Sequence, residues 1–180
     1  HLLDVTTTWY SPTTPRTGTS YTSFCASADV AVVEVDIETG ETSILKYAHV
    51  HDAGTIIDKA VVDGQIHGGI VQGIGEALSE EISYGPDSRI QNASLSEYIM
   101  PTAVDAPDIV IDHLETPSPY TETGSKGMGE APIIGSKAVI LAAIEDALRP
   151  FGVEVNTSPA TPERVQNWVR QAQEAEAGRR

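Results

Sequence analysis

Five glycines inside one helical stretch constrain this chain more than any other feature. Residues 59–82 read as a helix, and Gly64, Gly68, Gly69, Gly73 and Gly75 all fall within it. Each glycine costs up to about 1 kcal/mol against alanine in a helix interior. A helix that keeps so many is expected to lie close against another backbone, or against a flat ligand, where a side chain would not fit.

A second glycine-rich stretch lies downstream. It reads Gly-Ser-Lys-Gly-Met-Gly-Glu-Ala-Pro-Ile-Ile-Gly from Gly124 to Gly135. It then runs into an apolar, alanine-rich segment, read as a buried helix over residues 132–148. A loop of this kind ending at a helix start exposes unpaired N–H groups to whatever lies there. Glu130 is a carboxylate fixed in that turn. Two readings stand side by side: a general base held in place, or a first-turn carboxylate favoured by the helix N-terminus.

The remaining elements follow from pattern and turn chemistry. Residues 28–36 form a β-branched strand, 37–41 a turn and 42–51 a returning strand, together a hairpin. A second hairpin is expected from 80–84 and 89–95 around Gly85-Pro86-Asp87-Ser88, and a further strand over 109–115. Thr161 reads as an N-cap with Pro162 at the first helical position. The helix it opens, residues 162–175, is amphipathic through Val165, Trp168 and Val169, with Trp168 a core or interface anchor. Residues 1–26 look like an irregular N-terminal arm, 27–175 like one compact α+β unit of β-hairpins and sheet packed with helices, and 176–180 like a frayed tail.

Charge and cysteine usage narrow the functional classes. The formal net charge of −15 argues against nucleic acid or an anionic membrane as partner. No apolar run reaches the ~18 to 20 residues of a membrane span. A single cysteine, Cys25, allows no internal disulfide and suits a reducing cytoplasm. It has no neighbouring pattern for nucleophilic or metal chemistry. No signal-peptide pattern stands at the N-terminus, and the first residue is His1, so the chain is expected to be processed or cut from a longer one. His49 and His51 share a strand face and read as a structural pair, with a metal pair as the alternative. His67 is expected to be packed or hydrogen-bonded. His51 beside Asp52 is a catalytic pair by composition only, and no Gly-x-Ser-x-Gly segment completes a triad.

Six segments occur in a telling order: residues 31–41, Val50-His51-Asp52-Ala53-Gly54, residues 63–75, Glu97-Tyr98-Ile99-Met100-Pro101-Thr102, Glu115-Thr116-Pro117-Ser118-Pro119, and the Gly124–Glu130 loop. This succession resembles the C-terminal part of the molybdenum-binding large subunit of the xanthine dehydrogenase/aldehyde oxidase/aerobic carbon monoxide dehydrogenase family. The resemblance covers roughly residues 23–168.

The resemblance implies a molybdenum–molybdopterin cofactor, usually the cytosine dinucleotide form in bacterial members. It implies oxidative hydroxylation of an aldehyde, an N-heterocycle or a similar small molecule with oxygen from water, or oxidation of carbon monoxide. Electrons would leave through iron–sulfur clusters to FAD on partner subunits. By match to the family motifs, Glu130 takes the place of the general base, Gln65 that of a cofactor-contacting glutamine, and Lys126, Gly127 and Gly129 that of the loop against the pterin. An amide such as Gln65 donates and accepts without adding charge. The family's metal takes its ligands from the pterin, so no side-chain metal ligand is expected. Family subunits are far longer, and this chain has neither iron–sulfur cysteine clusters nor a flavin motif. It is therefore expected to need the rest of the molybdenum subunit, an iron–sulfur subunit and an FAD subunit, and to be inactive alone. The alternative is a structural or assembly domain that keeps the fold without cofactor.

Overall fold

A computed structural model describes residues 23–178. Three strands form one mixed sheet in the order β1-β2-β3, covered on one face by helices. β1 (Ala26–Val35) and β2 (Thr42–Asp52) pair antiparallel. The turn between them is tied by Asp36, whose Oδ1 accepts the amides of Glu38 (2.7 Å) and Thr39 (3.0 Å). Gly40 closes it at φ +77°, with its Cα facing the Pro162 carbonyl so closely that no side chain would fit. The expected hairpin is therefore present, and its turn rests on the start of the last helix.

A register shift between Val32 and Val33 leaves Leu45 unpaired. Its consequence is a switch of face. Ile44 and Tyr47 are three residues apart, an odd spacing that would normally put them on opposite faces. Because of the bulge, both pack inward, together with Ala31, Val33 and Val35 of β1. β3 (Ile109–Leu114) then pairs parallel to β2, with Ile111 opposite His49 and His113 opposite His51.

Between β2 and β3 runs α1 (Lys59–Leu78), capped by Asp58, whose side chain accepts the Ala60 and Val61 amides. Its buried residues Val62, Ile66, Ile70 and Ile74 recur every fourth position. α2 (Ala131–Leu148) buries Ser136, Ile140, Ile144 and Leu148 at the same spacing. The two stripes meet with Tyr47, Val153, Ala160, Val165 and Val169 in one core cluster. Gly69 and Gly73 make the close approach possible: side chains there would strike Pro132 and Ile133, and Ser136, respectively. α3 (Pro162–Ala177) starts as expected, Thr161 accepting the Arg164 amide, and buries Val165 and Val169 with Trp168 packed beside them.

Three expectations need correction. α1 stops at Leu78 rather than at 82, because the amides of Ser79 and Glu80 both turn back to the Gly75 carbonyl. The second hairpin shrinks to one bridge, Tyr84 to Ile90. Its turn forms, but Asn92 replaces the ladder: its Oδ1 accepts the Ser83 amide and its Nδ2 donates to the Glu81 carbonyl. α2 is buried along one face only, and Ile134 is 79% exposed. Most of the arm read over 1–26 lies outside the described residues, and Ala26 already belongs to β1. Of the tail read over 176–180, residues 176 and 177 are helical, and 179–180 lie outside the described residues.

Candidate functional site

The site is organised from the end of β2. Asp52, the strand's last residue, is buried and takes three donors. Its Oδ1 accepts the amides of Gly54 (2.9 Å) and Thr116 (3.0 Å), and its Oδ2 accepts Lys126 Nζ at 3.0 Å. Burial alone would raise the carboxyl's pKa. The Thr116 and Gly54 amides and the Lys126 ammonium outweigh it and hold the group far below the usual carboxylate range.

The same knot fixes the Gly124–Glu130 loop by its backbone. Lys126 N donates to the Ala53 carbonyl (2.8 Å), and Gly54 forms an isolated antiparallel bridge with Ser125. The Gly124 carbonyl accepts the amides of both Thr55 (3.1 Å) and Ser118 (2.8 Å). Gly54 and Gly124 sit at φ +67° and +75°, and a side chain on Gly54 would run into the Gly124 carbonyl. Only glycine serves at both positions.

Beyond the knot the loop opens. The amides of Gly127, Met128, Gly129 and Glu130 donate to no acceptor among the described residues. Glu130 is the N-cap residue of α2 by position, yet its side chain makes no cap hydrogen bond. Its exposed carboxylate instead lines a cleft of about 550 Å³ between α1 and the start of α2. Gln65, Gly68, Gly69 and Gln72 line the α1 side, spaced so as to share one helix face, and Gly129, Glu130, Ile133 and Ile134 line the other.

The five site residues predicted from sequence therefore divide. Glu130, Gly129 and Gln65 meet at the cleft. A side chain on Gly129 would begin 3.3 Å from Gln65 Nε2. Gly127 lies exposed on the approach, with open space where a side chain would start. Lys126 is turned inward onto Asp52. Sequence reasoning passed over Gln72, whose signal was its seven-residue offset from Gln65 along one helix.

The glycines of α1 answer to both explanations offered for them. Gly69 and Gly73 are consumed by packing against α2, whereas Gly64 and Gly68 face open space. The bare backbone of Gly68 and Gly127, four open amides and the Gln65 and Gln72 side chains make a cradle for a broad, acceptor-rich group. A molybdopterin, flat and rich in acceptors, fits that description.

A separate polar array lies under the sheet's inner face. Asp29 Oδ1 accepts the Tyr47 hydroxyl (2.7 Å) and pairs with His49 Nδ1 (2.8 Å). His49 Nε2 meets His51 Nδ1 at 3.1 Å, the rings stacked with centroids 5.3 Å apart. On the neighbouring strand His113 Nε2 bonds Asp63 Oδ1 at 2.7 Å. His51 Nε2 and His113 Nδ1 are buried without partners. Burial first, then the neighbouring imidazoles, lower the pKa of His51. His67 bonds the Asp63 carbonyl, so it is hydrogen-bonded as expected. Among the described residues no cluster of three His, Cys, Asp or Glu could hold a metal ion. The neighbours His51 and Asp52 engage different partners and form no catalytic pair.

Comparison with known proteins gives the relatives of this chain. A family model described as a molybdopterin cofactor-binding domain matches residues 2–107. The nicotine 6-hydroxylase large subunit of Paenarthrobacter nicotinovorans is 42% identical over 147 residues, which is 82% of this chain and 18% of that protein. The crystal structure of quinoline 2-oxidoreductase from Pseudomonas putida 86 superposes with TM-score 0.76 at 43% identity, over 78% of this chain and 18% of that one. A Cu,Mo-CO dehydrogenase structure gives TM-score 0.80 at 28% identity, over 83% of this chain and 19% of that one. The chain thus spans less than a fifth of the length of each of these relatives.

Proposed function

Since the chain belongs to the molybdopterin cofactor-binding domain family, we propose that it is the C-terminal portion of a molybdenum hydroxylase large subunit, with Glu130 as general base. The observation that carries this reading is the freedom of the Glu130 carboxylate. It stands at a helix N-cap without capping, and faces a cleft lined by an amide side chain and bare glycine backbone. Of the two readings of Glu130, a structural carboxylate would be bonded to the first-turn amides.

The Gly127–Glu130 amides would hold acceptor atoms of the cofactor, and Gln65 and Gln72 would bond it from α1. Lys126 would act through the loop, its ammonium already paired with Asp52. When bound, the molybdenum centre supplies the two-electron oxidant that hydroxylation of a carbon requires. Glu130 would accept a proton from the water that supplies the oxygen atom. The cleft is open on this chain, and the remaining part of the subunit would close it and exclude water.

An uncovered apolar sheet face supports that missing part. Val30, Val32, Val110 and Leu114 are exposed on the outer face, Val110 at 68%, beside the charged Lys46 and Asp112. The names of the relatives at 42% and 43% identity, a nicotine hydroxylase and a quinoline oxidoreductase, favour an N-heterocycle over an aldehyde or carbon monoxide as substrate. The cytosine dinucleotide form of the cofactor, and iron–sulfur and FAD subunits as electron acceptors, complete the proposal. The lone thiol Cys25 suits a reducing cytoplasm, and no helix among the described residues is long and apolar enough to cross a membrane.

The test uses the complete enzyme with its partner subunits. Molybdenum and pterin are expected in stoichiometric amount. Glu130→Gln should lower kcat by about 10²–10⁴-fold with molybdenum content intact. Absence of molybdenum with all subunits present would favour a structural domain, and wild-type kcat in the variant would remove Glu130 from the base role.

A further inference from the structure

The Asp52–Lys126 pair has no place in the chemistry above, yet three segments meet on it. Asp52 ends β2, Thr116 follows β3, and Lys126 lies in the loop that leads to Glu130. The pair links residues 74 apart in sequence, and each side chain is only 11% exposed. Between Lys126 and Glu130 there are three residues, two of them glycines, and none of their amides is bonded within the described chain. Lys126 is therefore the last residue before Glu130 whose amide is bonded, held by that amide on Ala53 and by its ammonium on Asp52, while Met128 packs against the core and the buried Ala131 and Pro132 hold the far end of the loop.

We infer that Asp52 is a positioning residue for the Glu130 loop. Through Lys126 it fixes the upstream end of the open Gly127–Glu130 backbone, as the start of α2 fixes the downstream end, and so helps to set where the Glu130 carboxylate stands over the cleft. The inference rests on the reading of Glu130 as base and adds to it the group that aims it.

The geometry separates two contributions of Asp52. One oxygen takes the Gly54 and Thr116 amides, which close the end of the sheet. The other takes Lys126. Asn at position 52 keeps an acceptor for the two amides and loses the acceptor for the ammonium. It also leaves a half-enclosed positive charge without its counter-ion, so Lys126 is driven outward and pulls the loop with it. Replacing Lys126 by Met removes that charge and its outward drive but also the tie to Asp52, so the loop is loosened rather than pushed out. A glycine-containing tether transmits the error to Glu130, and a displacement of about 1 Å at a reacting group can lower the rate ~10²-fold.

The experiment compares D52N, K126M and the double variant in the complete enzyme with its partner subunits. D52N should lower kcat about 10- to 100-fold with little change in KM. Hydrogen exchange should accelerate at the amides of residues 127–130 and stay unchanged at those of β1. The double variant should be no worse than D52N alone, since both act through one contact. The acid limb of the pH–kcat profile should keep its midpoint, because Asp52 does not exchange the reaction's proton. Wild-type kcat and loop exchange in D52N would overturn the inference. Should D52N fail to fold, K126M decides: normal loop exchange and kcat there overturn it equally. Glu130→Gln, run alongside, keeps the two ideas apart. An inactive Glu130→Gln enzyme with an unaffected D52N defeats only the positioning role, whereas an active one defeats the base reading itself.

Discussion

Gln65 of α1 holds its side-chain nitrogen 3.3 Å from the point where a side chain on Gly129 would begin. The two residues bring a helix and a loop to the same cleft, and the absence of a Cβ on one leaves the amide of the other free.

Gly129→Ala should therefore act on the site and spare the fold. Gly129 has no positive φ, and its only close neighbour is the mobile end of a glutamine. Stability is expected to change by less than about 0.5 kcal/mol. Cofactor retention and kcat should fall because the Gln65 amide must give way by a few tenths of an ångström at the cleft. Urea unfolding and molybdenum content, measured on one preparation, check both halves.

Gly73 and Gly64 should respond with opposite signs. Alanine at Gly73 would drive into Ser136 of α2, with a stability loss of about 1–3 kcal/mol from overpacking. Alanine at Gly64 meets nothing and should stabilise the cofactor-free subunit by about 0.5–1 kcal/mol. Thermal melting of the two variants distinguishes packing glycines from surface glycines, and equal effects would remove that distinction.

Stability should fall in two steps on acidification. His51 has a lowered pKa in the fold, so below about pH 6.5 the unfolded chain binds the extra proton and the folded chain resists it. The contribution is thus complete above that pH and declines as pH falls. Burial would raise the Asp29 carboxyl, but hydrogen bonds from His49 and Tyr47 lower it, and Asp52 is lowered more. Their contribution is present above the ordinary carboxylate value of 3.8 and is lost below it. Unfolding free energy followed from about pH 8 to 3 should be level, step down below about 6.5 and drop again under about 4. A level profile through pH 5 would contradict the neutral burial of His51.

The outer sheet face should matter for assembly rather than for the fold of this unit. Lys in place of Val110, which is 68% exposed, should leave stability within about 0.5 kcal/mol. It should weaken association with the rest of the large subunit, read as loss of co-purification.

Local chemistry made much of this legible in the sequence. The Asp36–Gly40 turn and the Thr161–Pro162 start state their structure in neighbouring residues, and both formed as read. The Gly124–Glu130 loop announced a helix start with a carboxylate on it, and that is where Glu130 stands. What stayed hidden depends on distant partners. Gly68 and Gly69 are chemically identical neighbours, yet one faces space and the other Pro132, a difference set by the path of α2. Lys126 read as a loop lysine aimed at a ligand because its counter-ion lies far upstream. Asn92 broke an expected hairpin by offering the backbone a side-chain partner.

The unpaired Leu45 fixes an arithmetic that the rest of the sheet must obey. Downstream of it, Tyr47, His49 and His51 face inward on odd numbers, while upstream Thr42 and Ile44 do so on even ones. Deleting one residue between Ile44 and Tyr47 would restore a uniform alternation without harm to the inward faces. Adding or deleting one residue between Tyr47 and His51 would turn His51 to the outside, and a change ahead of His49 would also bring Ala48 or Val50 against Asp29. Length variation in this strand is therefore governed by parity, with the single residue at the bulge as its only adjustable count.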